Sequence, residues 1–358
     1  MAFNLGIIGA GAIGNVHADT AVRAGINVAG VWDVQPTKGA AFGSKHKGAK
    51  VCGSITELLA IKEIPAVVVA VPNNLHAEVA IQALEAGKIV FLEKPMALNA
   101  AECDRILQAL DTTKGRLQMG FVCRGTPASS TVKHFIQAGR FGRIYHLKAS
   151  LYRRRGVPGL GGWFTTKSQS GGGPLIDLGV HVLDLALYLA GNATPQRVSG
   201  ATYANFGVRM KDYVYTDMWA GPPKLGGVFD VEDHATALIR CAGGLTIELN
   251  VTWAMNVPES KVMNGMTVFG DQGGCFFPIF GREVTIATEA ERRVVDLTPE
   301  ISAGNTEHAA WDAQYRMFSK LVLEGTPPHA DARAGRMVQA VLDAVYESSA
   351  AGREVDVR

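Results

Sequence analysis

In the first third of the chain the apolar residues come in short solid runs, at 3–8, 28–32, 64–71 and 88–92. Runs of this length that are apolar nearly throughout predict strands buried on both faces, as in a parallel sheet. Helical spacing fills 13–24, 76–86 and 100–112, with Gly25 and Gly87 stopping the first two, and a short strand at 117–120 closes the series. Strand and helix in strict alternation predict an α/β, doubly wound domain. Beyond it the period changes. A helix is predicted over 131–140, and 143–152 alternates as a half-buried strand does. Further strands are predicted at 197–206, 233–241, 245–253, 261–269 and 274–277, with another pair inside 282–297. Turns such as Gly243-Gly244 separate them, which suits a mostly antiparallel sheet. Two helices, 307–324 and 331–349, complete the chain. The division predicted is 1–123 and 124–358.

One stretch breaks both patterns. From Pro174 to Leu189 the chain is apolar on every side, which predicts a buried helix entered through Gly171-Gly172-Gly173. Asp177, His181 and Asp184 interrupt it at spacings of four and three, so they share one stripe. Buried carboxylates and imidazoles are costly unless paired or wet. The stripe therefore either lines an active-site cleft or forms a structural polar network.

Two loops carry candidate chemistry. Residues 153–174 hold Arg153-Arg154-Arg155, Trp163, Phe164 and Lys167, and loops this long are commonly functional. We expect one of Arg153 to Arg155, with Arg154 the chosen candidate, or Lys167 to recognise substrate and Trp163 to stack on a sugar ring. Packing or an assembly contact is the alternative. The second loop, 207–227, is rich in Gly and Pro and carries Tyr213, Tyr215 and Trp219.

The sequence Gly9-Ala-Gly11-Ala12-Ile13-Gly14 follows the first strand and opens the first helix, and Asp33 ends the second strand. Strand, glycine turn, helix, strand and terminal acid in this order form a dinucleotide-binding fingerprint, so the first domain is expected to be a Rossmann domain. Gly9 makes the turn, Gly11 admits the pyrophosphate, and Gly14 lets helix and strand approach. A carboxylate at Asp33 suits ribose hydroxyls and repels a 2'-phosphate, which favours NAD over NADP. Ligands of such sheets sit beyond the carboxyl ends of the strands. That places Pro72, Asn73, His76, Glu93 and Lys94 on the cofactor edge together with the glycine turn.

Composition narrows the function classes. The 358 residues are 47% hydrophobic and 19% charged with a net charge of +2, so nothing points to nucleic acid or an anionic membrane. No apolar run of about 18 residues is free of charge, so no membrane span is expected. Five scattered cysteines, without a CxxC pair, argue against a disulfide framework or a zinc site and for a reducing, cytoplasmic setting. No metal site is expected.

The glycine turn, residues 72–76, Glu93-Lys94-Pro95, Gly120-Phe121 followed by Arg124, and the run from Gly171 to Asp184 together resemble the Gfo/Idh/MocA family of sugar and cyclitol dehydrogenases. The resemblance covers essentially the whole chain. It implies a Rossmann domain followed by a domain on a large, mostly antiparallel open sheet. It implies that Lys94 is the catalytic lysine, often followed by a cis proline, and that Asp177 and His181 are the pair near the reacting carbon. His181 would be the general acid/base. Lys94, Arg124, Asp177 and His181 would meet a sugar or cyclitol. Homodimers or homotetramers through the sheet are common in the family. A histidine ordinarily titrates near about 6.5, which suits proton removal from an alcohol, and an ammonium nearby stabilises an alkoxide. The implied reaction is hydride transfer between a secondary hydroxyl and nicotinamide. The alternatives are transient oxidation leading to cleavage, elimination or epimerisation without net redox change, and a non-catalytic NAD sensor.

Overall fold

The computed structural model describes residues 3–215, 218–301 and 308–358. The chain divides into two compact units, one formed by residues up to Phe121 with Trp311–Arg336, the other by Val122–Ala310 with Met337–Arg358.

The first unit runs β1 (Asn4–Ile8), α1 (Ala12–Arg23), β2 (Asn27–Trp32), α2 (Pro36–Lys45), β3 (Lys50–Val51), α3 (Ile55–Leu59), β4 (Ala66–Val69), α4 (His76–Glu85), β5 (Ile89–Leu92), α5 (Ala100–Thr113) and β6 (Leu117–Met119). The strands form a six-stranded sheet in the order β3-β2-β1-β4-β5-β6, parallel at every pairing. Strand order reverses between β1 and β4, and ligands bind beyond the strand ends at such a point. All four residues of β4 and of β5 are buried, as strands covered on both faces require. The segment 36–63, which shows no clear period, holds α2, β3 and α3. Ser54 caps α3 by accepting the Glu57 N–H at 3.0 Å, worth about 1 kcal/mol.

The second unit opens with α6 (Pro127–Gln137), which begins four residues earlier than its apolar period suggests because Thr126 caps it, accepting the Ser129 N–H. It continues with β7 (Ile144–Tyr152), α7 (Lys167–Ser170), a π-helical turn Leu175–Gly179, α8 (Val180–Leu189), β8 (Pro195–Tyr203), β9 (His234–Cys241), β10 (Thr246–Thr252), β11 (Gly265–Gly270), β12 (Gly273–Phe277), β13 (Thr285–Ala290) and β14 (Arg293–Leu297). Then come α9 (Ala309–Glu324), α10 (Ala332–Ala351) and β15 (Val355–Asp356). The first residue of the helix predicted over 307–324 lies outside the described residues, as do 216 and 217 of the 207–227 loop. The nine strands pair in the order β14-β13-β12-β11-β7-β10-β9-β8-β15. Every pairing is antiparallel except β7 with β10. The architecture is thus a Rossmann domain followed by a mixed, mostly antiparallel sheet. α8 lies against β7 and β10. The apolar segment 167–189 has the length and composition of a membrane span, but 89% of its most apolar window is buried inside the fold.

A division at residue 123 alone does not describe the chain. Residues 311–336 belong to the first unit, because Tyr315, Phe318 and Leu321 of α9 join the core made by Leu5, Ile7, Val28, Val31 and Phe91. These three positions recur at helical spacing, and a stripe of that kind must be buried somewhere. Periodicity states that α9 is amphipathic, not which sheet it covers.

Candidate active site

At the β1–α1 turn the three glycines have three different environments. Gly9 has φ +104°, and a Cβ there would meet the Ala70 carbonyl. A Cβ on Gly14 would collide with the carbonyl oxygen of Gly9. Gly11, the N-cap of α1, would place a Cβ in open space. The first two glycines therefore serve packing, and Gly11 keeps space for something outside the chain. No side chain caps α1 and no acidic residue lies in its first turn, so Ala12 and Ile13 present a helix start suited to phosphate. Asp33 accepts the Ala10 N–H at 2.7 Å and the Gln35 N–H at 2.8 Å. Its carboxylate is fixed beside the glycine turn at the end of β2, where a ribose would lie. These residues fit a dinucleotide. Replacing Gly11 with alanine is expected to weaken NAD binding by about tenfold or more, with no loss of thermal stability. Calorimetric titration with NAD and a melting curve check both halves of that statement.

Beyond β4 and β5 the chain presents Pro72, Asn73, Glu93 and Lys94. Lys94 precedes a cis proline, and its N–H donates to Glu93 Oε2 at 3.1 Å. His76 departs from the expectation of a cofactor contact. It is 1% exposed, and its ring nitrogens lie 2.6 Å from the Pro95 oxygen and 3.0 Å from the Val71 oxygen. Burial lowers its pKa despite those two carbonyls. His76 ties the end of β4 to the segment carrying Lys94, which is positioning work.

In the second unit the helix at 175–189 starts under a buried carboxylate. Glu232 accepts the N–H groups of Gly173 and Leu175 at 3.0 Å and the Tyr346 hydroxyl at 3.0 Å. Burial pushes its pKa up against those donors. Gly173 is required here, since a Cβ would run into the Glu232 carbonyl. The next turn is wide, with the Val180 N–H reaching back to Leu175. Asp177 lies in this turn and His181 just after it. Asp177 is 7% exposed, and its Oδ2 accepts the Trp253 indole N–H at 3.0 Å with Arg153 Nη1 at 3.5 Å. His181 is half-buried. An indole donor and a guanidinium thus converge on one carboxylate oxygen.

The expected polar stripe divides. Asp184 is 1% exposed and forms a bidentate pair with Arg124, at 2.6 and 2.8 Å. Arg124 is itself 5% exposed and lies over the Tyr188 ring. The expectation that Arg124 contacts substrate meets a guanidinium that is buried and already paired within the fold. A buried guanidinium needs a carboxylate, and Asp184 supplies it. Of the arginine cluster, Arg153 rather than Arg154 reaches Asp177. Arg154 is exposed, and Arg155 braces the 255–256 segment through Met255 O and Asn256 Oδ1. Consecutive residues in extended chain point to opposite sides, so the choice among three arginines depended on a phase that the loop's sequence does not carry. The Trp163 and Phe164 rings lie 3.8 Å apart between centroids, tilted by 31°, and Phe164 meets Trp219 edge-on. In the sequence Trp253 reads only as the end of a strand and Glu232 only as part of a structural cluster with Asp233 and His234, because nothing local marks either as the partner of a distant helix. Among the described residues no cluster of three metal-ligating side chains occurs.

Comparison with known proteins agrees with this geometry. Residues 3–121 match the model described as "Oxidoreductase family, NAD-binding Rossmann fold" (GFO_IDH_MocA), and 129–275 match the GFO/IDH/MocA C-terminal domain. An oxidoreductase subunit of Amycolatopsis mediterranei (strain S699), whose name refers to UDP-kanosamine synthase, is 34% identical over 261 residues, 72% of this chain and 67% of that protein. D-glucoside 3-dehydrogenase of Escherichia coli (strain K12) is 28% identical over 98% of this chain and 96% of its own length. A levoglucosan dehydrogenase solved with NADH has the same fold, with a TM-score of 0.85 over the whole of both chains at 24% identity.

Proposed function

This chain belongs to the GFO/IDH/MocA family of NAD-binding oxidoreductases, and we propose that it is a dehydrogenase oxidising a secondary hydroxyl of a glucoside or a related sugar or cyclitol. The observation that carries this reading is Asp177 in a widened helical turn, its Oδ2 held by Trp253 and Arg153, with half-buried His181 directly after it. The relative named D-glucoside 3-dehydrogenase, which matches over 98% of this chain, supports a glucoside. In this proposal His181 takes the hydroxyl proton, and the Lys94 ammonium stabilises the alkoxide that develops. Asp177 accepts a hydrogen bond from a substrate hydroxyl. Arg153 and Trp163 border the substrate, with Arg153 taking the place first expected for Arg154. When bound, nicotinamide supplies the acceptor for the hydride, so alcohol and oxidised cofactor become ketone, reduced cofactor and one released proton. Gly11 and the start of α1 hold the diphosphate, and Asp33 holds the adenosine ribose. A 2'-phosphate would meet the Asp33 carboxylate, so NAD is favoured over NADP.

The test is absorbance at 340 nm with NAD or NADP and a panel of glucosides, free aldoses and inositols, with product analysis on the same samples. We expect NADH from a glucoside and a slower reaction with NADP. Altered glycoside without NADH would replace this reading with transient oxidation. We further propose a reducing compartment, since all five cysteines are free and buried. Burial pushes the Cys241 and Cys275 thiols up to about 11 and about 12. A homodimer or homotetramer is the assembly proposed, and light scattering after size exclusion measures it.

A further inference from the structure

Under the cofactor edge of the first unit lies a buried chain of three polar side chains that the proposed chemistry does not use. His17, in α1, has Nδ1 2.8 Å from the Tyr315 hydroxyl and Nε2 2.8 Å from Glu93 Oε1. His17 and Tyr315 are fully buried and Glu93 is 7% exposed. The imidazole packs edge-on against Phe91 at 4.9 Å and Trp311 at 5.2 Å. A polar group in such surroundings persists only if it is hydrogen-bonded.

The direction of the bonds is set by the partners. Burial and the charge of Glu93 push the Tyr315 pKa well up, so its hydroxyl keeps its proton. A carboxylate accepts, so His17 Nε2 carries the hydrogen facing Glu93. At Nδ1 the ring nitrogen and the Tyr315 hydroxyl share one hydrogen bond at 2.8 Å. The other oxygen of Glu93 accepts the backbone N–H of Lys94 at 3.1 Å. Gly120 leaves the carboxylate its place, because a Cβ there would lie 2.7 Å from Glu93 Oε1.

We propose that His17, braced by Tyr315, is a positioning residue that holds Glu93 and through it sets Lys94 at the end of β5. The functional meaning rests on the role proposed above for Lys94, but the positioning itself does not. It links the helix after the glycine turn to the lysine by one continuous set of hydrogen bonds, with Tyr315 contributed by α9 from almost 300 residues later in the chain.

The experiment reads Lys94 without turnover. The full-length protein is labelled with trace acetic anhydride, and acetylation of each lysine is followed by peptide mass spectrometry. Lys88 is the internal reference, since its ammonium donates to Ile61 O and Ile64 O in the same unit and not to the His17 chain. In His17→Leu the Lys94 rate is expected to change by about threefold or more while Lys88 stays constant. His17→Gln, which keeps an N–H for Glu93, should return Lys94 towards the wild-type rate. Tyr315→Phe removes only the hydroxyl and should shift Lys94 in the same direction by a smaller factor, which keeps the test available if His17→Leu does not fold. Wild-type Lys94 rates in Tyr315→Phe and in a folded His17→Leu would overturn the proposal. So would Lys94 and Lys88 changing together, which is the mark of loosened packing. Wild-type protein that makes no NADH from any substrate refutes the dehydrogenase reading and leaves this result standing.

Discussion

Replacing His181 with alanine is expected to lower kcat by about 10²- to 10⁴-fold, the range that a positioned general base contributes. The loss should fall on kcat more than on KM, because the proton moves only as the alcohol is oxidised. The rate left in the variant should rise with external imidazole or with hydroxide, since the alcohol still needs a proton acceptor. NAD affinity should stay unchanged, because His181 lies in the second unit and the dinucleotide residues lie in the first. Steady-state rates at 340 nm across pH, with calorimetric NAD binding on the same preparation, check all three statements. Unaltered kcat in a folded His181→Ala protein would remove His181 from the proton transfer.

Arg124→Met carries the largest expected loss of stability. The guanidinium and Asp184 are 5% and 1% exposed and pair through two short bonds. Taking away one partner leaves a charge buried without compensation, which costs about 3–5 kcal/mol. Replacing both, as in Arg124→Met with Asp184→Leu, exchanges the pair for apolar side chains of similar size and should recover most of that loss. Urea unfolding of the two single variants and the double variant gives the coupling directly. If Arg124 serves the substrate, as first expected, rather than the fold, Arg124→Met raises KM and leaves stability alone. A full-strength unfolding midpoint in the single variant would therefore support that assignment.

The pairing of Arg124 with Asp184 shows where sequence reasoning reached its limit. Asp177, His181 and Asp184 share a spacing, so periodicity placed them on one stripe. The stripe assumes a uniform helix, and the wide turn at Leu175–Gly179 changes the phase between Asp177 and the residues of α8. The spacing also says nothing about the partner, and the α8 face carrying Asp184 meets Arg124. The glycine turn behaved differently. Its meaning is steric and local, so Gly9 and Gly14 could be understood from six residues, and the structure places a backbone carbonyl where each Cβ would go.

By itself the sequence determined the alternation of strand and helix in the first unit, the glycine turn with Asp33 after the second strand, the buried helix at 175–189 and the family. Each is written in residues close together in the chain, where side-chain period and backbone sterics act directly. Only the tertiary structure decided which buried polar groups face one another. Trp253 meets Asp177 from 76 positions away, Arg124 meets Asp184 from 60, and Tyr315 meets His17 from 298. It also decided that α9 covers the first sheet and that β7 pairs in parallel with β10. A buried polar atom must find a partner, but that requirement sets only the need. The partner is whichever group the packed backbone brings within about 3 Å, and that depends on the whole fold.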